Sequence, residues 1–293
     1  MINPVGSGLR FACLALWLAL ACTARAAALD TALHEEIVSV PLPAGLPHAA
    51  LVATIYRPDG AGPFPLLVLS HGNPRNAAAR AKMGRYRVLS RIREFTRRGF
   101  VVIVPMRRGF GATGGSWAER YGDCAAPDFQ TAGLEAAADL LATLAFARNL
   151  SYVDRRRIVL LGQSAGGFAS IAAASRAPEG VLAVVNLSGG RGGSPSREGD
   201  SCSPEVMAET MARFARTIRV PVLWHYAEND RYFGPAHVRA WFAAFEAAGA
   251  RGRLVMQPPF GKDGHRMFAS PDGLPIWTAE FDRFLQDTGF PLK

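Results

Sequence analysis

The segment LLGQSAGGFAS, residues 160–170, places Ser164 between Gly162 and Gly166. The apolar run RIVLLG before it predicts a buried strand, and the alanine-rich residues after it predict a helix. A sharp turn between such elements lifts the serine hydroxyl above the sheet, and the glycines leave room for neighbouring backbone. We predict that Ser164 is a nucleophile and that the N–H of Ala165, at the helix start, is one oxyanion donor. The alternative is a serine that only caps the helix.

Strand and helix patterns alternate along the rest of the chain. We expect eight strands, at 35–42, 50–58, 64–72, 100–106, 157–162, 181–189, 220–227 and 253–259. Helices are expected between them, at 82–98, 128–149, from 164 onward, 204–217, 235–248 and 275–289. This alternation predicts a single α/β domain with a mostly parallel eight-stranded sheet covered by helices on both faces. The first two strands predict an antiparallel edge. Ligands of such sheets bind beyond the carboxyl ends of the strands.

Two of those strand ends carry the remaining members of a candidate catalytic triad. After the strand at 220–227 come Glu228 and Asp230, and Asp230 is favoured because it lies deeper in the loop, where it can turn toward a histidine. Of the six histidines, His265 alone lies in a glycine-rich loop between the last strand and the last helix. We therefore predict Ser164, Asp230 and His265 as catalytic residues. The alternatives are Glu228 as the acid and a solvated loop histidine.

The loop SHGNPRN after the third strand is expected to supply a second oxyanion donor. Such a loop usually provides one backbone N–H, and Pro74 has none. Asn73 is therefore the predicted donor, whereas His71 and Gly72 are expected to be structural. The alternative is an ordinary Asn-Pro turn.

The N-terminus has the features of a secretory leader. Arg10 precedes a short apolar run, residues 11–22, and a small-x-small cleavage site follows. The run is shorter than the roughly 20 residues that a membrane span needs, and no later segment is long and apolar enough. We predict a signal peptide over 1–26, export to the periplasm or the medium, and one domain over 27–293. A second option is a lipoprotein anchored through Cys22.

Two cysteines remain after the leader, Cys124 and Cys202. Export would place them in an oxidising compartment, and both lie in loops after strands, on the side of the sheet where the candidate site is expected. We predict that they form a disulfide that joins two loops bordering the site. Two unpaired thiols are the alternative, because spacing alone does not report the distance between two cysteines.

The chain is basic, with a formal net charge of +9 at pH 7. The basic residues are scattered, among them Arg91, Arg107 and Arg108, and no nucleic-acid-binding motif accompanies them. We expect no nucleic-acid partner. The arginines are expected to be surface cations, with helical spacing over 80–98.

Five segments together resemble the α/β-hydrolase superfamily, in its dienelactone-hydrolase-like and prolyl-oligopeptidase-like branch. They are LLVLSHG, VPMRRGFGATGG, YVDRRRIVLLGQSAGG, PVLWHYAENDRYF and the Gly264-His265 pair, in the order that this superfamily uses. The resemblance implies hydrolysis of a small-molecule ester, or less often an amide, by Ser164, His265 and Asp230 through an acyl-enzyme. It implies no metal and no cofactor.

Three other functions are compatible with these motifs. A small serine peptidase or amidase would use the same triad. An acyltransferase would use it with an alcohol or amine in place of water. A binding protein without activity is the third, and it is disfavoured because no triad member is missing.

Overall fold

The structure, a computed structural model, describes residues 28–74 and 76–290. Within those ranges one sheet runs in the order β1-β2-β4-β3-β5-β6-β7-β8. The strands β1 and β2 and the strands β2 and β4 pair antiparallel, and the other neighbours pair parallel. The prediction of a mostly parallel eight-stranded sheet with an antiparallel edge is confirmed. The strands are β1 (Glu36–Pro41), β2 (Ala50–Tyr56), β3 (Phe64–Ser70), β4 (Val101–Pro105), β5 (Val153–Gln163), β6 (Val181–Leu187), β7 (Val222–Ala227) and β8 (Gly252–Gln257).

Helices cover both faces of the sheet. They are α1 (Ala77–Ala81), α2 (Leu89–Arg97), α3 (Phe129–Ala147), α4 (Ala165–Ala174), α5 (Pro204–Ala215), α6 (Pro235–Ala247) and α7 (Leu274–Asp287). Local sequence sets several of their starts: a proline lies in the first turn of α5, α6 and α7, and the Asp128 carboxylate accepts the N–H of Thr131 at the start of α3.

Side chains alternate between two cores, one on each face of the sheet. In β3, Leu66 and Val68 pack with α3, α4, α5 and α6, whereas Leu67 and Leu69 pack with α2 and α7. All four side chains are fully buried, and the burial of each stabilises the folded state by roughly 1.5–3 kcal/mol. This double coverage explains why the central strands read as continuous apolar runs rather than as alternating ones.

The helix predicted over 82–98 is wrong in its first part, because α2 begins only at Leu89. Arg85 and Arg87 both donate to the buried carboxylate of Glu35, at 2.7 and 2.6 Å. Side chains two residues apart lie on the same side of an extended chain but on different faces of a helix. The shared carboxylate therefore favours the non-helical path that this segment takes before α2, in which the backbone N–H of Arg87 donates to the carbonyl of Arg85 at 2.8 Å.

The arginines were expected at the surface, and this is wrong for Arg91, Arg107 and Arg108, which are buried. Arg108 pairs with Asp139, with Nε 2.6 Å from Oδ1, and the Nε of Arg91 donates to the carbonyl of Phe268 at 2.8 Å. Buried cations persist where carboxylates or carbonyls accept their protons. Burial raises the pKa of Asp139 to about 6, against the opposing charge of Arg108.

The predicted leader, residues 1–26 with Cys22, lies outside the described residues and stays a prediction. In the part of the chain that is described, no helix has both the length and the apolar character needed to cross a bilayer.

Candidate active site

Ser164 occupies the tight turn between β5 and α4. Its backbone has φ 56° and ψ −126°, a conformation that is strained for a residue with a side chain. A Cβ on Gly162 would overlap the backbone of Gly166, and a Cβ on Gly166 would overlap the carbonyl of Ser70, so both positions require glycine. The Ser164 side chain makes no capping hydrogen bond to the backbone of α4, all of whose residues the structure describes. This geometry favours the nucleophile over the capping serine.

Asp230 and His265 meet beyond the ends of β7 and β8. The Nδ1 of His265 lies 3.0 and 3.1 Å from the two carboxylate oxygens of Asp230, a contact that in the neutral imidazole favours the tautomer with its proton on Nδ1 and its lone pair on Nε2. The Asp230 carboxylate is buried and also accepts the backbone N–H groups of Tyr232, at 2.8 Å, and Phe233, at 3.0 Å. These bonds fix the orientation of the carboxylate toward the imidazole.

The other candidate acid, Glu228, has an exposed side chain. Its backbone N–H donates to the carbonyl of Gln257 at 2.9 Å, which joins the ends of β7 and β8. Of the two acids considered from the sequence, Asp230 is therefore the one in contact with the histidine.

The histidine loop adjoins the serine turn. The side-chain amide of Gln163, the residue before Ser164, donates to the carbonyl of His265 at 2.9 Å. The imidazole stacks on Tyr232, with ring centroids 4.2 Å apart, and meets the edge of Phe233 at 5.6 Å. Both aromatic rings and Ser164 line one cavity of about 540 Å³. Such a cavity admits a small-molecule ligand.

The two predicted oxyanion donors, Asn73 and Ala165, line the same cavity. The loop that carries Asn73 is held by His71, whose Nδ1–H donates to the carbonyl of Gly72 at 2.7 Å and whose Nε2 accepts the N–H of Arg107 at 3.2 Å. Burial, and then the charge of Arg107, lower the pKa of His71 to about 3, so its imidazole is neutral. His71 is thus structural, as expected, and the donor role of Asn73 stays a prediction.

Beside the cavity lies a buried charge cluster, Arg107–Glu119–Arg191, that the sequence analysis missed. Both arginines donate to the Glu119 carboxylate, and Arg107 also donates to Ser70 Oγ at 2.8 Å and to the carbonyl of His71 at 2.7 Å. Burial acts to raise the pKa of Glu119, but the two arginines outweigh it and the pKa falls to about 2. The available signal was the position of Arg107 and Arg191 just after strands β4 and β6, where ligands bind.

The disulfide predicted from the sequence is present. Cys124 and Cys202 are bonded, with their Cα atoms 5.2 Å apart, and Cys124 lines the cavity. The hydroxyl of Ser203 donates to the carbonyl of Cys124 at 2.6 Å, so a second bond joins the same two loops.

Within residues 28–74 and 76–290, no cluster of three or more His, Cys, Asp or Glu side chains is placed to hold a metal ion.

Three features define the α/β-hydrolase class: the strand order, the strained serine turn after β5, and the Asp–His contact beyond the ends of β7 and β8. Residues 48–203 match the family of X-Pro dipeptidyl-peptidases (S15 family), and the chain belongs to that family. The predicted superfamily and its prolyl-peptidase-like branch are therefore confirmed.

Solved structures similar to the chain include peptidases and esterases. One is a Klebsiella pneumoniae protein provisionally assigned as a dienelactone hydrolase, at TM-score 0.59 and 18% identity over 87% of this chain and 98% of that one. Another is acylaminoacyl peptidase from Pyrococcus horikoshii, at TM-score 0.63 and 17% identity over 87% of this chain and 41% of that one. A third is acetyl xylan esterase from Paenibacillus sp. R4, at TM-score 0.56 and 17% identity over 87% of this chain and 89% of that one. These likenesses show the fold. No match was found among curated protein sequences.

Proposed function

We propose that the protein is a serine hydrolase that cleaves carboxylic esters of small molecules through Ser164, His265 and Asp230. The observation that carries this proposal is the contact between His265 Nδ1 and the buried Asp230 carboxylate, next to a cavity lined by the strained Ser164. A serine in that turn, an imidazole and an orienting carboxylate are what acyl transfer requires.

The reaction follows from the tautomer of His265. Its Nε2 takes the proton of the Ser164 hydroxyl while Oγ attacks the ester carbonyl. Asp230 stabilises the imidazolium that forms, and the backbone N–H groups of Asn73 and Ala165 hold the oxyanion. The imidazolium then protonates the departing alcohol, which leaves an acyl group on Ser164. His265 next takes a proton from water, and the resulting attack releases the acid and restores the serine.

A peptidase or amidase is the second candidate, because the family that the chain matches is one of X-Pro dipeptidyl-peptidases. Recognition of a free peptide N-terminus would require carboxylates near the scissile bond. The described lining of the cavity instead contains Arg80, Arg120, Arg191 and Arg197 and a single acid, Asp123. The preferred substrate on this balance of charge is an ester without a cationic amine, and not a peptide with a free, positively charged N-terminus.

A panel of purified-protein assays separates these candidates. We expect hydrolysis of p-nitrophenyl esters of increasing acyl length and little release of p-nitroaniline from Gly-Pro p-nitroanilide. The Ser164→Ala variant is the matched control for background. Faster cleavage of the anilide than of every ester would contradict the esterase. An acyltransferase would show itself as a new ester among the products when an alcohol is present in excess.

Export is part of the proposal, with a mature domain over residues 27–293 in the periplasm or the medium. Its support is the leader-like sequence at 1–26 together with the Cys124–Cys202 disulfide, since disulfides persist in oxidising compartments. N-terminal sequencing of the protein recovered from the expressing cells tests it. A mature chain starting near Ala27 is expected, a lipid-modified Cys22 would support the lipoprotein alternative, and an intact Met1 would refute export.

A further inference from the structure

Gln163 joins the two segments that carry the candidate nucleophile and the candidate base. It is the last residue of β5, directly before Ser164. Its side-chain Nε2 donates to the carbonyl of His265 at 2.9 Å, across 102 residues of sequence. His265 lies in the histidine loop, which we define as residues 258–273 between β8 and α7. Among the residues that the structure describes, this is the only hydrogen bond between the histidine loop and the serine turn, residues 162–166.

The other hydrogen bonds from the histidine loop to the rest of the chain run to different elements. Its Gly264 donates a backbone N–H to the carbonyl of Asn229, after β7, at 3.1 Å. Near its other end, the carbonyl of Phe268 accepts the Nε–H of Arg91, from α2, at 2.8 Å. These bonds hold the loop to the segment after β7 and to α2. The bond at the carbonyl of the histidine itself is what sets the loop against the serine turn.

The orientation of the Gln163 amide is fixed by its two partners. The carbonyl of His265 can only accept, so the atom of Gln163 that faces it is the nitrogen. The oxygen, Oε1, then accepts the hydroxyl of Tyr86 at 3.3 Å. Burial raises the pKa of Tyr86 to about 12, against the opposing charge of Arg91, so the hydroxyl keeps its proton and can donate. The residues on either side of Tyr86 are the two arginines that the Glu35 carboxylate holds, so this donor is itself anchored.

We propose that Gln163 is a positioning residue, which holds the main chain of His265 against the serine turn so that the imidazole Nε2 stays within reach of the Ser164 hydroxyl. This inference rests on the proposed esterase function and adds to it a residue that acts through the histidine and not on the substrate. Asp230 sets the orientation of the imidazole at Nδ1, and Gln163 sets the place of the loop that carries it. Both matter because a displacement of about 1 Å at a reacting group can cost about 100-fold in rate.

Gln163→Met removes the amide and keeps an unbranched side chain of similar length. We expect kcat for p-nitrophenyl acetate to fall by about 10- to 100-fold, because the imidazole is no longer held at the serine. KM should stay within about twofold of the wild-type value, because both half-reactions use the same histidine and no contact to the substrate is lost. The matched control is Gln257→Met at the end of β8, where the glutamine is also partly buried but its Nε2 lies 3.3 Å from Nε2 of His225. This control should retain kcat within about twofold of the wild type.

Gln163→Glu separates the hydrogen bond from the filling of space. Glutamate has the shape of glutamine, but at about pH 8.5 its ionised carboxylate has no proton to donate to the carbonyl of His265. The kcat of this variant at that pH should fall at least as far as that of Gln163→Met, whereas a residue that only fills space would be replaced by glutamate without loss. A kcat within about twofold of the wild type in either variant would refute the inference.

Hydrogen exchange, followed by mass spectrometry, separates this inference from the proposed reaction. Peptides from residues 258–273 should exchange about tenfold faster or more in Gln163→Met than in the wild type, and at the wild-type rate in Gln257→Met. Faster exchange in Gln163→Met together with no ester hydrolysis by the wild type would refute the esterase and retain the link between the histidine loop and the serine turn. Exchange in the histidine loop that is unchanged by Gln163→Met would refute the link and the inference with it.

Discussion

Removing the Cys124–Cys202 disulfide should cost the protein a large part of its stability. The two cysteines are 78 residues apart in the sequence, and in the chain-entropy model closing a loop of that length stabilises the folded state by about 4.5 kcal/mol. A domain of ordinary stability has about 5–15 kcal/mol in all. We therefore expect the double variant Cys124→Ala, Cys202→Ala to unfold at a markedly lower urea concentration than the wild type.

The assay for this prediction is urea unfolding followed by circular dichroism, with and without a reducing agent. Reduction should shift the wild-type midpoint down to that of the double variant and leave the variant unchanged. Because Cys124 lines the cavity, we also expect a higher KM in the variant. The reasoning is refuted if the mature chain, residues 27–293, shows two free thiols when it is unfolded without reduction, or if the variant is within about 1 kcal/mol of the wild type.

Three further predictions concern the triad acid, the serine turn and the buried charges. Asp230→Asn should lower kcat by roughly 10⁴-fold, because the histidine loses the carboxylate that sets its tautomer. Glu228→Gln, at an exposed side chain, should leave kcat near the wild-type value. Steady-state kinetics check both, and a larger loss of kcat in Glu228→Gln than in Asp230→Asn would mean that the acid is misassigned. Gly162→Ala should destabilise the protein by about 1–3 kcal/mol or more, because the new Cβ meets the backbone of Gly166; an unfolding midpoint equal to the wild type would contradict this. The pKa of Glu119, about 2, lies below the ordinary value of 4.5. The ionised Glu119 carboxylate therefore stabilises the fold fully above about pH 4.5, and this stabilisation is lost as the pH falls toward 2. Melting temperatures across this range should fall less steeply in Glu119→Gln than in the wild type.

The serine turn and the sheet could be predicted because their signals are local. The pattern around Ser164 combines glycines that no other residue can replace with an apolar strand before it and an alanine-rich helix after it. The positions of Asp230 and His265 follow from the same logic, since both lie in loops that follow strands whose carboxyl ends share one edge of the sheet. The alternation of strand and helix patterns, together with the residues that follow the strands, was therefore sufficient to predict these features.

The burial and the ion pairs of these arginines could not be predicted in this way, because their partners are distant in the sequence. Arg191 pairs with Glu119 over a separation of 72 residues, and Arg85 and Arg87 reach Glu35 across 50 and 52. Composition shows only that arginine is abundant, and an arginine is ordinarily exposed. The tertiary fold decides which of them meet a carboxylate, and the non-helical segment before α2 is one consequence.

Labelling with a fluorophosphonate probe, followed by peptide mass spectrometry, tests the central claim most directly. The probe reacts with a serine that a neighbouring histidine activates, so the site of labelling identifies the nucleophile. We predict one modified serine per chain, Ser164, and neither labelling nor ester hydrolysis in Ser164→Ala, with the unfolding midpoint of that variant close to that of the wild type. Labelling of a different serine, or ester hydrolysis that survives in Ser164→Ala, would contradict the account.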